Sequence, residues 1–600
     1  MTRVATATLA ALVLAAPALA QPEGTPPTAP LYDRQGNLIG TPFVPREEVE
    51  PVLRDDEAIA AALAHPKVAE WIVRYEGRRL TKEATFDRDK RSWEVKVWAP
   101  EPAGQIVLAR VDDATGRVTE AWTGPQVAWK MARGYHGAFG RKINDPAIWL
   151  SMCAIFLIGL ADLRRPLSLR NLDLLVLLSF SVSLWFFNQG DVFTAMPLVY
   201  PPLVYLLARL AWIGSRGRGT AAAAPVWPVW LLVAATVFLM GFRIGLNAEA
   251  SNVIDVGYAS VIGAQRIVSQ GESPYGHMPT DDGKECGAPD ADGYVRERIQ
   301  TNGRCESANE RGDTYGPATY LAYVPGYLAF GWSGKWDDLP AAHFTSILFD
   351  ALAVAGLALA GRRFGGARLA ATLAFAWAAF PFTQYASSSN SNDVIMPALL
   401  IWGFWLLVSA PARGVLLALG GWAKFAAFLL VPLWASYPSG LTRSPRRHVP
   451  LFAAGLLAGS ALALWVLLLE PDPLHAARVF WDRTFGWQLS RPSPFSIWDW
   501  DEYPGFPDLA FLQGALKIAL LVSALALSFV PRRKSPLQVA ALSGALLVGF
   551  ELVLTHWFYL YIPWFFPFVA LAFLAPSSRR VVQEEPASHE RPVRELVPAG

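Results

Sequence analysis

Cysteine is scarce. Three residues in 600, Cys153, Cys286 and Cys305, are too few for a metal cluster or a disulfide scaffold. Charge is scarce too: Asp, Glu, Lys and Arg make up 17% of the chain, against about 25% in soluble domains. A net charge of +2 offers no basic surplus for a nucleic-acid partner. There is no convincing repeat between the two halves, a feature that transporters often show. What the chain has instead is apolar residues, 53% of the total with mean hydropathy +0.28. They gather in blocks after residue 146, the pattern of repeated membrane spans. Many of the 24 Trp fall at the ends of those blocks, where an interfacial aromatic belt belongs.

Residues 1–20 carry Arg3, an apolar run, Pro17 and the small-residue ending Ala18-Leu19-Ala20. This is the pattern of a bacterial-type secretory signal cleaved before Gln21. An uncleaved anchor is the alternative, and the Ala-x-Ala ending counts against it. The mature N-terminus is therefore expected outside the cytoplasm. Residues 21–55, rich in Pro and polar residues, read as a linker. A small α+β extracytoplasmic domain is expected over 56–140. Ile59, Ala62, Leu63, Val68 and Ile72 mark a helix over 56–76. Strand-like runs follow at 92–98, 105–112 and 117–122, the last two joined by the hairpin signal DATGR, and a second helix at 125–138. A helix followed by a meander ending in VDDATGRV resembles the PepSY-type domains over residues 55–125. No nucleophile–base pair or metal spacing occurs there, which favours a binding or interaction role.

The rest reads as an α-helical polytopic membrane protein. Spans are expected at 147–162, 172–188, 193–213, 225–245, 341–361, 367–383, 393–409, 450–469, 509–530, 536–555 and 558–575. Short basic loops set the orientation. Arg164, Arg165 and Arg170, then Arg216 and Arg218, then Arg362, Arg363 and Arg368, then Arg532, Arg533 and Lys534 fall on every second loop. The intervening short loops 189–192 and 384–392 contain no Lys or Arg. That arrangement places the protein in the bacterial inner membrane, in contact with its lipids, with residues 576–600 as a cytoplasmic tail. Residues 414–437 break the parity, because Arg413 precedes them and Arg443, Arg446 and Arg447 follow. Two short half-helices turning near Lys424 restore it. Non-helical backbone at membrane depth is tolerated only beside protein or a water-filled cavity, so a buried, hydrated site near Lys424 is expected. Two large segments, 246–340 and 470–508, then lie outside. Cys286 and Cys305 share the first of them, an oxidising setting in which they are expected to bond.

From 225 to 575 a series of strings occurs in order: DVGYASVIGAQRIVSQGESPYG, YGPATYLAYVPGYLAFG, ALAGRRFGGARLAATLAFAWAAFPF, SSNSNDVIMPALL, ALGGWAKFAAFLLVPL, SPFSIWDW and HWFYLYIPW. Together they resemble the GT-C superfamily of membrane glycosyltransferases, in particular bacterial mannosyl- and arabinosyltransferases. The three spans over 147–213 and the N-terminal domain lie outside the resemblance. It implies inverting transfer of a sugar from a polyprenyl-phosphate donor to a glycan, lipid or protein acceptor of the cell envelope, on the outer face. Such chemistry needs a carboxylate to take the acceptor proton and positive charge near the departing phosphate.

Asp255 is the expected base; Asn252 and Asp255 also stand at capping-box spacing, so a cap is the alternative. Ile254, Tyr258, Val261 and Val268 give its segment the apolar stripe of a helix lying on the membrane surface. Asp313 is the second carboxylate, placed to orient the acceptor or a divalent cation; no other cofactor enters this reading. Lys424, Arg491 and His556 are the candidates for donor phosphate, with snorkelling to the interface as the alternative for Lys424. Tyr258, Tyr315, Asp393, Trp498 and Tyr559 are candidates for substrate contact; for Asp393 a helix-dipole charge is the equal alternative. A transporter or flippase for a lipid-linked precursor, or a non-catalytic assembly factor, are the rival functions.

Overall fold

The computed structural model describes residues 31–32, 38–40, 50–101, 103–134, 139–217, 219, 227–275, 297–299, 305–307, 314–333, 339–438, 445–487 and 492–575. The expected signal segment, Asp313, Arg491 and Cys286 lie outside them. Cys305 is described only as backbone, opposite Ile299 in a two-stranded ladder. The chain divides into two compact units, 1–100 with 104–123, and 101–103 with 124–600.

The first unit packs two helices on a four-stranded antiparallel meander. The helix expected over 56–76 is interrupted, because Pro66 lacks the N–H that would continue the ladder. Asp55–Ala64 therefore ends at the extended His65, and Pro66–Ile72 starts anew. The strands are Thr81–Asp87, Ser92–Trp98, Gln105–Asp112 and Val118–Thr123, paired in sequence order. Period-2 alternation turns Trp93, Val95 and Val97 inward with Val107, Ala109 and Val111, toward Ala58, Ala62, Val68 and Tyr75. Thr81–Asp87 was not expected from the sequence. It is an exposed edge strand, and an edge strand needs no apolar face to hold its ladder.

Asp113 ties the strands to the chain entering the domain. Its buried carboxylate accepts the N–H groups of Val52 (2.9 Å) and Leu53 (3.0 Å) and the Trp93 indole N–H (3.0 Å). Burial opposes its ionisation, but those hydrogen bonds and the nearby Arg91 charge outweigh it and hold the carboxyl below its usual range. A depressed folded-state pKa adds stability that is present above the unfolded value and lost as pH falls through the folded one. Asp113→Ala should accordingly destabilise this domain by about 1–3 kcal/mol at neutral pH. The deficit should shrink on acidification below about pH 4, where the wild type loses the same interaction. Trp93 fluorescence during denaturation at the two pH values reads it; a pH-independent deficit would refute the linkage.

The second unit is helical. Among the described residues five helices are long and apolar enough to cross a membrane: Leu169–Asn188, Val192–Arg216, Val229–Ala250, Pro340–Ala379 and Arg447–Leu469. Shorter apolar helices include Pro146–Leu160, Ala510–Ala526 and Pro536–Leu552. Large apolar side chains face outward along them: Trp230, Val237 and Phe238, then Leu457 and Leu468, then Phe511, Ile518 and Val522. Apolar surface this extensive belongs in lipid rather than water. The chain is a membrane protein. The helix expected at 125–138 is only a turn, Pro125–Ala128, followed by a 3-10 segment Lys130–Arg133, set between the positive-φ glycines Gly124 and Gly134.

Pro340–Ala379 is two antiparallel helices that meet at Gly366, whose φ of 77° suits glycine alone. The Trp377 indole on one limb donates to Asp350 on the other at 2.7 Å. Arg243, on Val229–Ala250, closes this group by gripping Asp350 with Nε (2.8 Å) and Nη2 (2.5 Å). Its Nη1 donates to Ala378 O and Thr383 Oγ1.

Candidate functional site

The segment around Lys424 is a hairpin of two half-helices. Ala410–Ala423 stops at Lys424, which is extended (φ −141°, ψ 118°), and the chain resumes as the 3-10 helix Phe425–Leu430 and the short helix Val431–Ala435. Arg413 closes the base. Its guanidinium donates to the carbonyls of Leu407, Trp434 and Tyr437, which brings the start of one limb level with the end of the other. Having doubled back, the chain enters Pro445–Leu464, which runs parallel to Ala410–Ala423. Gly455 lies on Pro411 and Gly459 on Val415, so close that a Cβ at either glycine would meet backbone.

Lys424 stands at the tip. Its Nζ is 2.9 Å from Asp393 Oδ1, with the two side chains 14% and 2% exposed. The approach is ionic; its angle leaves Oδ1 without an aligned hydrogen-bond donor. The rings of Tyr315, Trp564 and Tyr561 lie 5.2, 5.5 and 6.0 Å from the ammonium. Tyr561 and Trp564 stack at 4.3 Å. Tyr315 is delivered by the segment before Pro317–Phe330: Gly316 is pressed against the Trp422 carbonyl, and Thr319 Oγ1 donates to Ala423 O at 3.2 Å.

Asp393 is delivered by a polar turn. Residues 387–393, Ser-Ser-Ser-Asn-Ser-Asn-Asp, are all at most 1% exposed. Asn390 adopts φ 50° there, a left-handed conformation that Asn tolerates. Its amide donates to Ser251 Oγ and Asn252 O, while Asn247 Nδ2 donates to Ser387 O and Asn390 Oδ1. These bonds fix the end of Val229–Ala250 and the start of the next helix, Asp255–Gln265.

That next helix differs from the expectation of one lying on the membrane surface. Gly257 and Ala259–Ala264 are buried, and Gly263 meets the Tyr320 ring of Pro317–Phe330. Of the apolar stripe, Ile254 and Val261 are buried and Tyr258 packs against the core around Val261, while Val268 is exposed. Capping also works differently. Ile254 is the N-cap residue, and Asn252 Oδ1 accepts from Gly140 N at 2.7 Å, so no capping box involves Asp255. Asp255 is the first helical residue. It is exposed, and its Oδ1 accepts from Val256 N at 2.8 Å.

The structure thus brings Tyr315, Asp393 and Lys424 together, with Asp255 on a helix seated against the same polar turn. Among the described residues, the other candidates have their contacts elsewhere. Tyr258 packs edge-on against Trp332. Tyr559 is fully buried among Phe187, Trp557 and Phe558, with its hydroxyl 2.6 Å from Ser183 Oγ. Trp498 is buried and donates to Leu552 O. His556 Nδ1 lies 2.9 Å from Ser493 Oγ, beside Trp129 and Phe495. In the same loop Glu502 is pushed up by burial and by the charges of Asp499 and Asp501.

Three residues around Asp393 and Lys424 were missed from sequence: Asn392, Glu551 and Trp564. Glu551 did carry a signal, being the one carboxyl in the apolar helix Pro536–Leu552, and an ionisable group in such a helix is a functional candidate by default. No protein-family model matches the sequence, and no curated protein matches it.

Proposed function

We propose that the protein is an inverting glycosyltransferase of the bacterial inner membrane, moving a sugar from a polyprenyl-phosphate donor to an envelope acceptor on the outer face. The observation that carries this reading is the Lys424–Asp393 pair at the tip of an interrupted hairpin. A lysine there needs a counter-charge or water. Asp393 supplies one, and a lipid phosphate arriving from the bilayer is the anion able to compete for it. The aromatic rings around the ammonium offer stacking faces for a sugar or the first isoprene units. Asp255, exposed on the adjoining helix, takes the acceptor proton, and Lys424 balances charge on the departing phosphate. Asp313, Arg491 and His556 keep the roles the resemblance implies: second carboxylate for the first, donor phosphate for the others.

An interrupted helix carrying a buried charge also suits a transporter. Purified protein incubated with a panel of polyprenyl-phosphate sugars separates the two, since only a transferase yields a covalently altered acceptor and free polyprenyl phosphate. Lys424→Met should weaken donor binding about tenfold or more, the loss of one charge-assisted contact, and Lys424→Arg should restore part of it. Equal donor affinity in wild type and the Met variant would sink the assignment in favour of a lysine that merely snorkels.

A further inference from the structure

The hydrogen bonds that are not made around Lys424 are as specific as those that are. Asn392 is fully buried, yet neither its Oδ1 nor its Nδ2 has a partner among the described residues. Glu551, 1% exposed, accepts the Trp557 indole N–H on Oε2 at 3.0 Å, while Oε1 has none. The Trp564 indole N–H, on a residue 5% exposed, has none either. Buried polar atoms are nearly always satisfied, and leaving one unmet costs about 1–3 kcal/mol. Four such atoms on three residues call for something that meets them.

All three border one place. Asn392 immediately precedes Asp393, Glu551 is within electrostatic reach of Asp393, and the Trp564 ring lies 5.5 Å from Lys424 Nζ. The chemistry of the set is mixed, with two donors (Asn392 Nδ2, Trp564 Nε1) and two acceptors (Asn392 Oδ1, Glu551 Oε1). Phosphate asks for donors alone and a metal ion for acceptors alone. A hydroxyl both donates and accepts, and the neighbouring Tyr561–Trp564 stack supplies the apolar face that a sugar ring presents its C–H groups to.

We propose that Asn392, Glu551 and Trp564 form the subsite for the hydroxyls of the donor's sugar ring, and that this ring carries no carboxylate. The inference rests on the glycosyltransferase reading and names the substrate class of that same site. The charge restriction follows from sign: the Lys424 ammonium already faces the Asp393 carboxylate, and a second carboxyl, Glu551, lies within electrostatic reach of Asp393. Lys424, which the donor phosphate engages, already has Asp393 as its counter-charge, so it has little left to offer an acidic sugar.

The test compares two lipids on the full-length protein in nanodiscs: polyprenyl monophosphate and polyprenyl-phosphate hexose. Wild type should bind the sugar-bearing lipid about tenfold or more tightly than the bare one. Asn392→Ala and Trp564→Phe should lose most of that increment while binding the bare lipid as wild type does, which also shows that they fold. Trp564→Phe keeps an aromatic face while removing the N–H together with part of the indole, so it serves as the second variant if Asn392→Ala is unstable. Variants that keep the full increment would overturn the subsite and leave these atoms to structural water only. Equal wild-type affinity for the two lipids would overturn the subsite but spare phosphate binding at Lys424. Binding of neither lipid would overturn the glycosyltransferase reading itself. A hexuronate donor bound as tightly as the neutral one would refute the charge restriction.

Discussion

Asp255→Asn is expected to lower sugar transfer by about 10²–10⁴-fold, the usual contribution of a general base, with the protein still folded and in the membrane. The two halves of that expectation come from different observations. Loss of activity follows from the proposed chemistry, in which an unprotonated carboxylate must accept the acceptor's proton and an amide cannot. Retention of the fold follows from what Asp255 does in the structure. It is not the cap of its helix, since Ile254 holds that position. The start of the helix is fixed instead by neighbours, with Ile254 N donating to Ser389 O and Asn390 bonding back to Ser251 and Asn252. What the substitution removes structurally is one negative charge in the first helical turn, worth about 0.3–1 kcal/mol against the dipole. Asn is isosteric and accepts the Val256 N–H as before. Turnover with a donor that wild type uses, beside size-exclusion profiles of both proteins, reads the two halves separately. A fully active Asn variant would move the base elsewhere, with Asp313 next in line.

The turn at Lys424 was legible because charge parity is a global constraint. Arg413 on one side and Arg446 and Arg447 on the other cannot both face the same compartment across a single crossing, whatever the local propensities. The same holds for the pair of helices meeting at Gly366, announced by Arg362, Arg363 and Arg368. What parity cannot supply is who meets whom at the tip. The contact of Asp393 with Lys424 depends on how Ile395–Trp405 and Ala410–Ala423 pack, and that depends on the shapes of many apolar side chains at once. The helix from Asp255 failed for a related reason. In a membrane protein an apolar stripe can face lipid or protein, and hydrophobic period alone does not distinguish them. Small residues did: Gly257, Ala259, Ser260, Gly263 and Ala264 permit a close approach that lipid would not demand. Asn392 stayed hidden because an Asn in a Ser-rich turn reads as an exposed loop, and only its burial makes the unmet amide significant.

Asp350→Ala is expected to remove about 3–5 kcal/mol of stability, the cost of breaking a buried ion pair by deleting one partner. Arg243 is 1% exposed, so its guanidinium has no route to water once the carboxylate is gone, and the Trp377 indole loses its acceptor as well. The bonds to Ala378 O and Thr383 Oγ1 remain, but they neutralise no charge. The consequence should reach beyond stability. Arg243 sits on Val229–Ala250, and one turn further on Asn247 holds the polar turn at Ser387 and Asn390. That turn carries Asp393 to Lys424. A helix released at Arg243 would therefore loosen both the ion pair at the hairpin tip and the helix bearing Asp255, although Asp350 itself touches neither. Replacing both partners, as Arg243→Met with Asp350→Leu, removes the stranded charge and substitutes apolar packing, which is often neutral or stabilising. The midpoint of thermal unfolding in detergent should thus fall sharply in the single variant and recover in the double one. Donor affinity should follow the same order. A single variant as stable as wild type would show that the pair does not hold these helices together. A double variant that recovers stability but not donor affinity would show that the pair positions the site by more than holding the fold.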